Sequence, residues 1–344
     1  MYAARSTWRA CALAVVSMSL LGSHGGSVAA AELHLSSHAV PIAQGAEVSP
    51  ASVTGGLPDS IQVERAVADA VNISSLPPQP ALSAIPGDDR TGCNTDYLDT
   101  TSPGCTTGDP NGTRIVVLWG DSHAWMWLPA FDAIGRSTQT QIVQFDKSSC
   151  APPDMRIWLD RLRRVYTECD DFRRFVEARI AALRPDVVVL TGAVKGVRIV
   201  DGNHGSAQGV DDAWMAGLAA TIRTVAPSTG QTVVLGDIAY PVFEPADCLS
   251  AHAADIHVCD TPRSGSVDEF GIPSGVFDDH NHQEQQVAEQ NGARYVSVTQ
   301  WFCSGTLCPA VVGDLAVYRD YFHASPNYAY WLSNALAVAT GLLR

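Results

Sequence analysis

The stretch Ile115-Val116-Val117-Leu118-Trp119-Gly120-Asp121-Ser122-His123 decides the fold. Its five leading apolar residues, mostly β-branched, read as a strand buried on both faces. Such strands belong to parallel sheets with helices on either side. Gly120-Asp121-Ser122 stands at the carboxyl end of this strand, where open α/β sheets place reactive groups. A serine there does chemistry only if a base can reach it. Far along the chain, Asp320-Tyr321-Phe322-His323 offers a base and its orienter on one short segment. Together they form a candidate Ser-His-Asp system in the chain order Ser, Asp, His.

Working outward, the pattern around this stretch alternates. Strand-like runs fall at 115–119, 141–145, 186–190, 232–236 and 294–298, and helix-like stretches at about 124–136, 168–183, 212–226 and 282–291, with a last one near 325–343. Strands alternating with helices predict a parallel sheet covered on both faces. Residues 237–280 break the rhythm with many Gly, Pro and Asp, and are expected to be an insertion beside the reactive face. Residues 81–113 are turn-rich and are expected to wrap the main domain. Asp278-Asp279-His280-Asn281-His282 holds metal-ligand residue types but reads as a solvated loop, so no metal is assigned.

The N-terminus reads as an export leader. Arg5 and Arg9 precede an apolar run from Cys11 to Gly22, and Val28-Ala29-Ala30-Ala31 supplies small residues for cleavage near Ala30 or Ala31. An uncleaved anchor is the alternative. The expected organisation is a signal peptide over 1–31, a flexible lead over 32–74 that includes a short helix from Ile61 to Val71, and one domain over 75–344. Eight cysteines remain after the leader, in close pairs: Cys93/Cys105, Cys150/Cys169, Cys248/Cys259 and Cys303/Cys308. In an exported chain these suggest disulfides, and neighbour pairing is the simplest of many connectivities. None is a Cys-x-x-Cys pair, which disfavours zinc. A net charge of −14, from 22 Lys+Arg against 36 Asp+Glu and without a basic cluster, argues against nucleic acid.

Several motifs in order resemble the SGNH, or GDSL-type, hydrolase superfamily, in the version that forms the extracytoplasmic domain of bacterial acyltransferase-3 O-acyltransferases. They are Val117 to Ala124, Lys147-Ser148-Ser149-Cys150-Ala151-Pro152, Cys169-Asp170, Pro185 to Leu190, Trp301-Phe302-Cys303, and Tyr318-Arg319-Asp320 with His323. The resemblance implies a flavodoxin-like three-layer α/β/α sandwich. It implies Ser122 as nucleophile, His323 as base and Asp320 as orienter, acting on small O-acyl groups of glycans without a cofactor.

The superfamily carries Gly-x-Asn-Asp after the third strand, whose Asn donates to the oxyanion. Here the stretch is Gly192-Ala193-Val194-Lys195. The hole must then be rebuilt from the Ser122 N–H and from donors near Ser149 and Gly192. Trp301 and His123 are the candidate cleft-lining residues, with a structural role beneath the helix N-terminus equally open to His123, while at least one of Trp125 and Trp127 belongs to the core, since they cannot share a helix face. The resemblance implies an acylated glycan or small ester as substrate. The acyltransferase-3 relatives carry a multi-span membrane domain; none is read here, so the expectation is an esterase acting alone or an enzyme supplied by a separate membrane acyl donor. A non-catalytic glycan-binding protein on the same scaffold is the rival, motivated by the altered third block.

Overall fold

The computed structural model describes residues 56–76 and 94–343. The expected leader, its cleavage site and Cys93 lie outside them. Six strands make the central sheet: β1 (Cys105–Gly108), β2 (Arg114–Gly120), β3 (Thr140–Asp146), β4 (Val187–Thr191), β5 (Gln231–Leu235) and β6 (Arg294–Val296). Their order is β1-β3-β2-β4-β5-β6, parallel throughout except for β1, which runs antiparallel along the edge strand β3. The five parallel strands thus take the flavodoxin-like order, and the sheet reverses direction at β2.

Alternate residues of each strand serve different faces. Val116, Leu118, Val187, Val189, Val233 and Leu235 pack on one side; Val117, Trp119, Val188, Leu190 and Val234 pack on the other. The first face is covered by α1 (Ser60–Asp69), α2 (Ser122–Thr138), α7 (Pro326–Trp331) and α8 (Ser333–Thr340). The second is covered by α3 (Thr167–Leu183), α4 (Val210–Val225) and α6 (Asp278–Gln290), with the short α5 (Pro245–Ala251) in the insertion. The three-layer α/β sandwich is therefore the fold.

Several expectations change in detail. The short helix expected within the lead is α1. Asp59 and Gln62 form a reciprocal capping box that starts α1, and Val63 and Val67, one turn apart, are buried in the first core. Residues 278–282 open α6 rather than forming a loop, and the buried His280 holds Asp211 at 2.7 Å. The last helix breaks at Leu332, whose N–H is shared between the Tyr328 and Ala329 carbonyls. The edge strand β1 was not anticipated. Disulfides join Cys150–Cys169, Cys248–Cys259 and Cys303–Cys308, and Cys105 is also disulfide-bonded.

Candidate active site

Strand β2 ends in a turn that only glycine fits. A Cβ on Gly120 would lie 2.4 Å from the Thr191 carbonyl oxygen of the neighbouring strand. Asp121 follows as the N-cap of α2: one carboxylate oxygen accepts the His123 N–H and the other accepts the Ala193 N–H, both at 2.9 Å. It thereby ties the loops after β2 and β4 together. Ser122 is the first residue of α2, so its N–H is one of the unpaired donors of a helix N-terminus.

The structure brings Ser122, His323 and Asp320 together. Ser122 Oγ donates to His323 Nε2 at 2.8 Å, and His323 Nδ1 donates to Asp320 at 2.7 and 3.0 Å. Asp320 Oδ1 also accepts the N–H groups of Phe322 and His323, and Oδ2 accepts Arg319 Nε at 2.8 Å. Burial alone would raise the Asp320 pKa, but the hydrogen bond and charge of His323 and the charge of Arg319 hold it well below the usual carboxylate range. Burial pulls the His323 pKa below 6.5; Asp320 opposes this, while His123 and Arg319 add to it. A neutral imidazole with its Nδ1 proton anchored is the form able to take a hydroxyl proton.

Behind this chain of bonds sits a second buried histidine. His123 is wholly buried; its Nδ1 lies 3.0 Å from Asp237 Oδ1 and its Nε2 donates to the Phe322 carbonyl at 2.8 Å. Burial would lower its pKa, yet Asp237, Asp121 and the Phe322 carbonyl raise it to about 9. Asp237 in turn accepts the Val194 N–H and the Tyr240 hydroxyl. The cation thus locks the segment carrying His323 onto the helix carrying Ser122. Of the two roles open to His123 from sequence, lining the cleft or a structural one beneath the helix N-terminus, the structure shows the second: its ring points beneath the helix to Asp237. Asp237 lies just past β5, again at a strand carboxyl end, and that position was its one sequence signal.

The Ser122–His323 pair opens into a cleft of about 870 Å³. Ser149 lines it in the left-handed conformation (φ 55°), and among the described residues its N–H has no acceptor. The Cys150–Cys169 bridge and the Tyr166 hydroxyl on the Ser148 carbonyl fix this loop. Gly192 is not among the residues lining the cleft, and a Cβ there would lie 2.8 Å from that of Ala151. The next N–H groups, of Ala193 and Val194, are already taken by Asp121 and Asp237. Lys195 is no oxyanion donor either, since its buried ammonium pairs with Asp268 at 2.9 Å and bonds Ser274. Of the donors expected from sequence, the N–H groups of Ser122 and Ser149 belong to cleft-lining residues and have no acceptor among the described residues.

Trp301 is also displaced from its expected place. It is 1% exposed, packs beneath α1, and donates to Ser60 Oγ at 2.8 Å. Trp125 lines the cleft instead, with the Arg319 guanidinium 4.4 Å from its ring centre, while Trp127 is core. Reasoning from sequence assigned Arg319 no role, although it flanks Asp320. Among the described residues no cluster of His, Cys, Asp and Glu is arranged to hold a metal ion.

A strand-end serine bonded to a half-buried His–Asp pair, on a flavodoxin-order sheet, has the arrangement of hydrolase-like α/β domains, and a family match narrows it. Residues 92–338 match the SGNH domain that is found fused to AT3 domains, and the chain belongs to that family. Among solved structures the chain is similar to the periplasmic domain of a lipopolysaccharide acetyltransferase of Salmonella ser. Paratyphi A, at 16% identity and a TM-score of 0.51, over 82% of this chain and 97% of that one. It is also similar to an acetylxylan esterase of Geobacillus stearothermophilus, at 13% identity and a TM-score of 0.39, over 69% and 99% of the two chains. No curated protein matches the sequence.

Proposed function

We propose that this protein is an exported serine esterase or O-acyltransferase that handles short O-acyl groups, acetyl-like in size, on cell-envelope carbohydrate. The observation that carries the reading is the unbroken path from Ser122 Oγ through His323 to Asp320, opening beside two free backbone donors. Ser122 attacks the ester carbonyl as His323 Nε2 takes its proton. The oxyanion is received by the N–H groups of Ser122 and Ser149, and His323 returns the proton to the departing sugar oxygen. Water then releases the acyl group as acid, or a sugar hydroxyl accepts it.

Family membership supports acyl chemistry, and the fusion of relatives to AT3 domains supports a membrane acyl donor as a separate partner. The likeness to a lipopolysaccharide acetyltransferase domain supports a carbohydrate acceptor, and the disulfides support a place outside the cytoplasm. Among the described residues no helix is long and apolar enough to cross a membrane. The test is p-nitrophenyl acetate hydrolysis by the mature protein beside Ser122→Ala and His323→Ala, together with fluorophosphonate labelling. Labelling of Ser122 with turnover lost in both variants is the expected result. An unlabelled Ser122 would favour a non-catalytic glycan-binding protein.

A further inference from the structure

Beyond the serine, the cleft continues into an arm that acyl transfer does not use. Two hairpins build its wall. One joins Trp158–Leu159 to Arg164–Val165 in the excursion after β3; the other joins Ile199–Asp201 to His204–Ser206 after β4. They are stitched together by the Trp158 N–H on the Arg198 carbonyl and the Val200 N–H on the Arg156 carbonyl, at 2.9 and 3.1 Å. Gly205 lies directly against Trp158: a Cβ there would stand 2.4 Å from the indole Cδ1. The indole is thus backed by bare backbone and is half-buried along the cleft. The loop bearing Tyr97 joins the arm through Arg161, whose guanidinium lies 5.1 Å from the Tyr97 ring centre. Lys147 pins that loop from beneath through the carbonyls of Asp96 and Asp99.

The charge of the arm runs against that of the chain. At the serine end, Arg319 and Lys195 are neutralised by Asp320 and Asp268. Among the residues lining the arm, Arg161 and Arg198 meet one carboxylate, Asp160, which stands 3.7 Å from Arg198 and is 66% exposed. Among the described residues Arg161 pairs with no carboxylate. Lining one cleft, the half-buried Trp158 indole and the Arg161 guanidinium on Tyr97 suit a sugar ring that carries an acidic group: the ring's C–H face stacks on the indole, and the carboxylate meets the planar N–H fork. At about 870 Å³ the cleft lies near the top of the range for ligand pockets, beyond the needs of one short ester.

We propose that this arm is a subsite for the sugar next to the acylated one, and that it takes a carboxylate-bearing residue of the uronic acid type. The proposal rests on the carbohydrate-ester reading above. Its test compares O-acetylated tetragalacturonate with its methyl-esterified form, using p-nitrophenyl acetate as a small reference, for the wild type, Trp158→Ala and the surface variant Arg161→Gln. The acid form should exceed the methyl ester in kcat/KM by roughly tenfold, the scale of one charge-assisted contact. Arg161→Gln should erase that ratio through KM while leaving p-nitrophenyl acetate unchanged. Trp158→Ala should weaken both tetramers. Equal handling of acid and methyl ester, or an Arg161→Gln effect as large on the small ester, would overturn the proposal. Calorimetric binding of the tetragalacturonate to Ser122→Ala protein separates the two readings. If no wild-type turnover is seen, the esterase reading fails alone, and tenfold weaker binding on Arg161→Gln still upholds the subsite; no difference between the two proteins rejects it.

Discussion

Replacing His123 with Gln removes a buried cation without emptying the site. In the native protein the pKa of His123 is raised from 6.5 to about 9. At about 1.4 kcal/mol per unit, that shift corresponds to roughly 3 kcal/mol of stability. Breaking a buried pair from one side gives the same scale, about 3–5 kcal/mol, because Asp237 keeps its charge and loses its counterion. Since the folded-state pKa is the higher one, this contribution is complete below pH 6.5 and is lost as pH rises through about 9. Urea unfolding should therefore show the variant about 3 kcal/mol less stable near pH 6, with the gap closing above about pH 10. The same substitution removes a positive charge whose ring centre lies 5.7 Å from that of His323 and which lowers the His323 pKa. The acid limb of kcat/KM for p-nitrophenyl acetate should move to higher pH. A stability difference that stays constant with pH, together with an unmoved acid limb, would refute the buried-cation account.

Other outcomes follow from the same geometry. Wild-type kcat/KM should lose activity on acidification only below pH 6.5, since burial, His123 and Arg319 hold the His323 pKa down; a limb above 6.5 would contradict this. Asp320→Asn should keep the fold by circular dichroism and lower kcat by about three to four orders of magnitude, because the wrong imidazole tautomer is favoured. Ser149→Gly should retain kcat, since the donor is the backbone N–H, and should stabilise by about 0.5–1 kcal/mol by relieving the left-handed strain; a large kcat loss would make the hydroxyl the donor. Lys195→Met should cost about 3–5 kcal/mol in denaturant unfolding by stranding the buried Asp268.

Much of the fold was legible because it rests on local patterns. The central parallel strands β2, β4 and β5 are apolar runs that the sheet buries on both faces, and helices such as α2 and α4 turn an apolar stripe toward one of the two cores flanking the sheet. The short edge strand β1 escaped because Cys105-Thr106-Thr107-Gly108 has no apolar periodicity; its pairing with β3 supplies the order. Ser122, Asp320 and His323 were legible because their motifs are short and lie at the strand end and before the last helix. Trp301 was misplaced, and His123 was left open between cleft and core, because sequence position gives proximity and not direction. Each lies within a few residues of a motif or strand end, and each points into packed protein.

By itself the sequence determined the alternation of strands and helices, the serine at the end of β2, and a base with its orienter near the chain's end. Those follow from residue type and spacing. Only tertiary structure decided which donors remain for an oxyanion, because Asp121 and Asp237 take the N–H groups of Ala193 and Val194 from across the sheet. It also decided that His123 is a buried cation, since its charge depends on a carboxylate 114 residues away, at Asp237. Burial and the charge of distant neighbours are properties of the packed chain, and no local pattern records them.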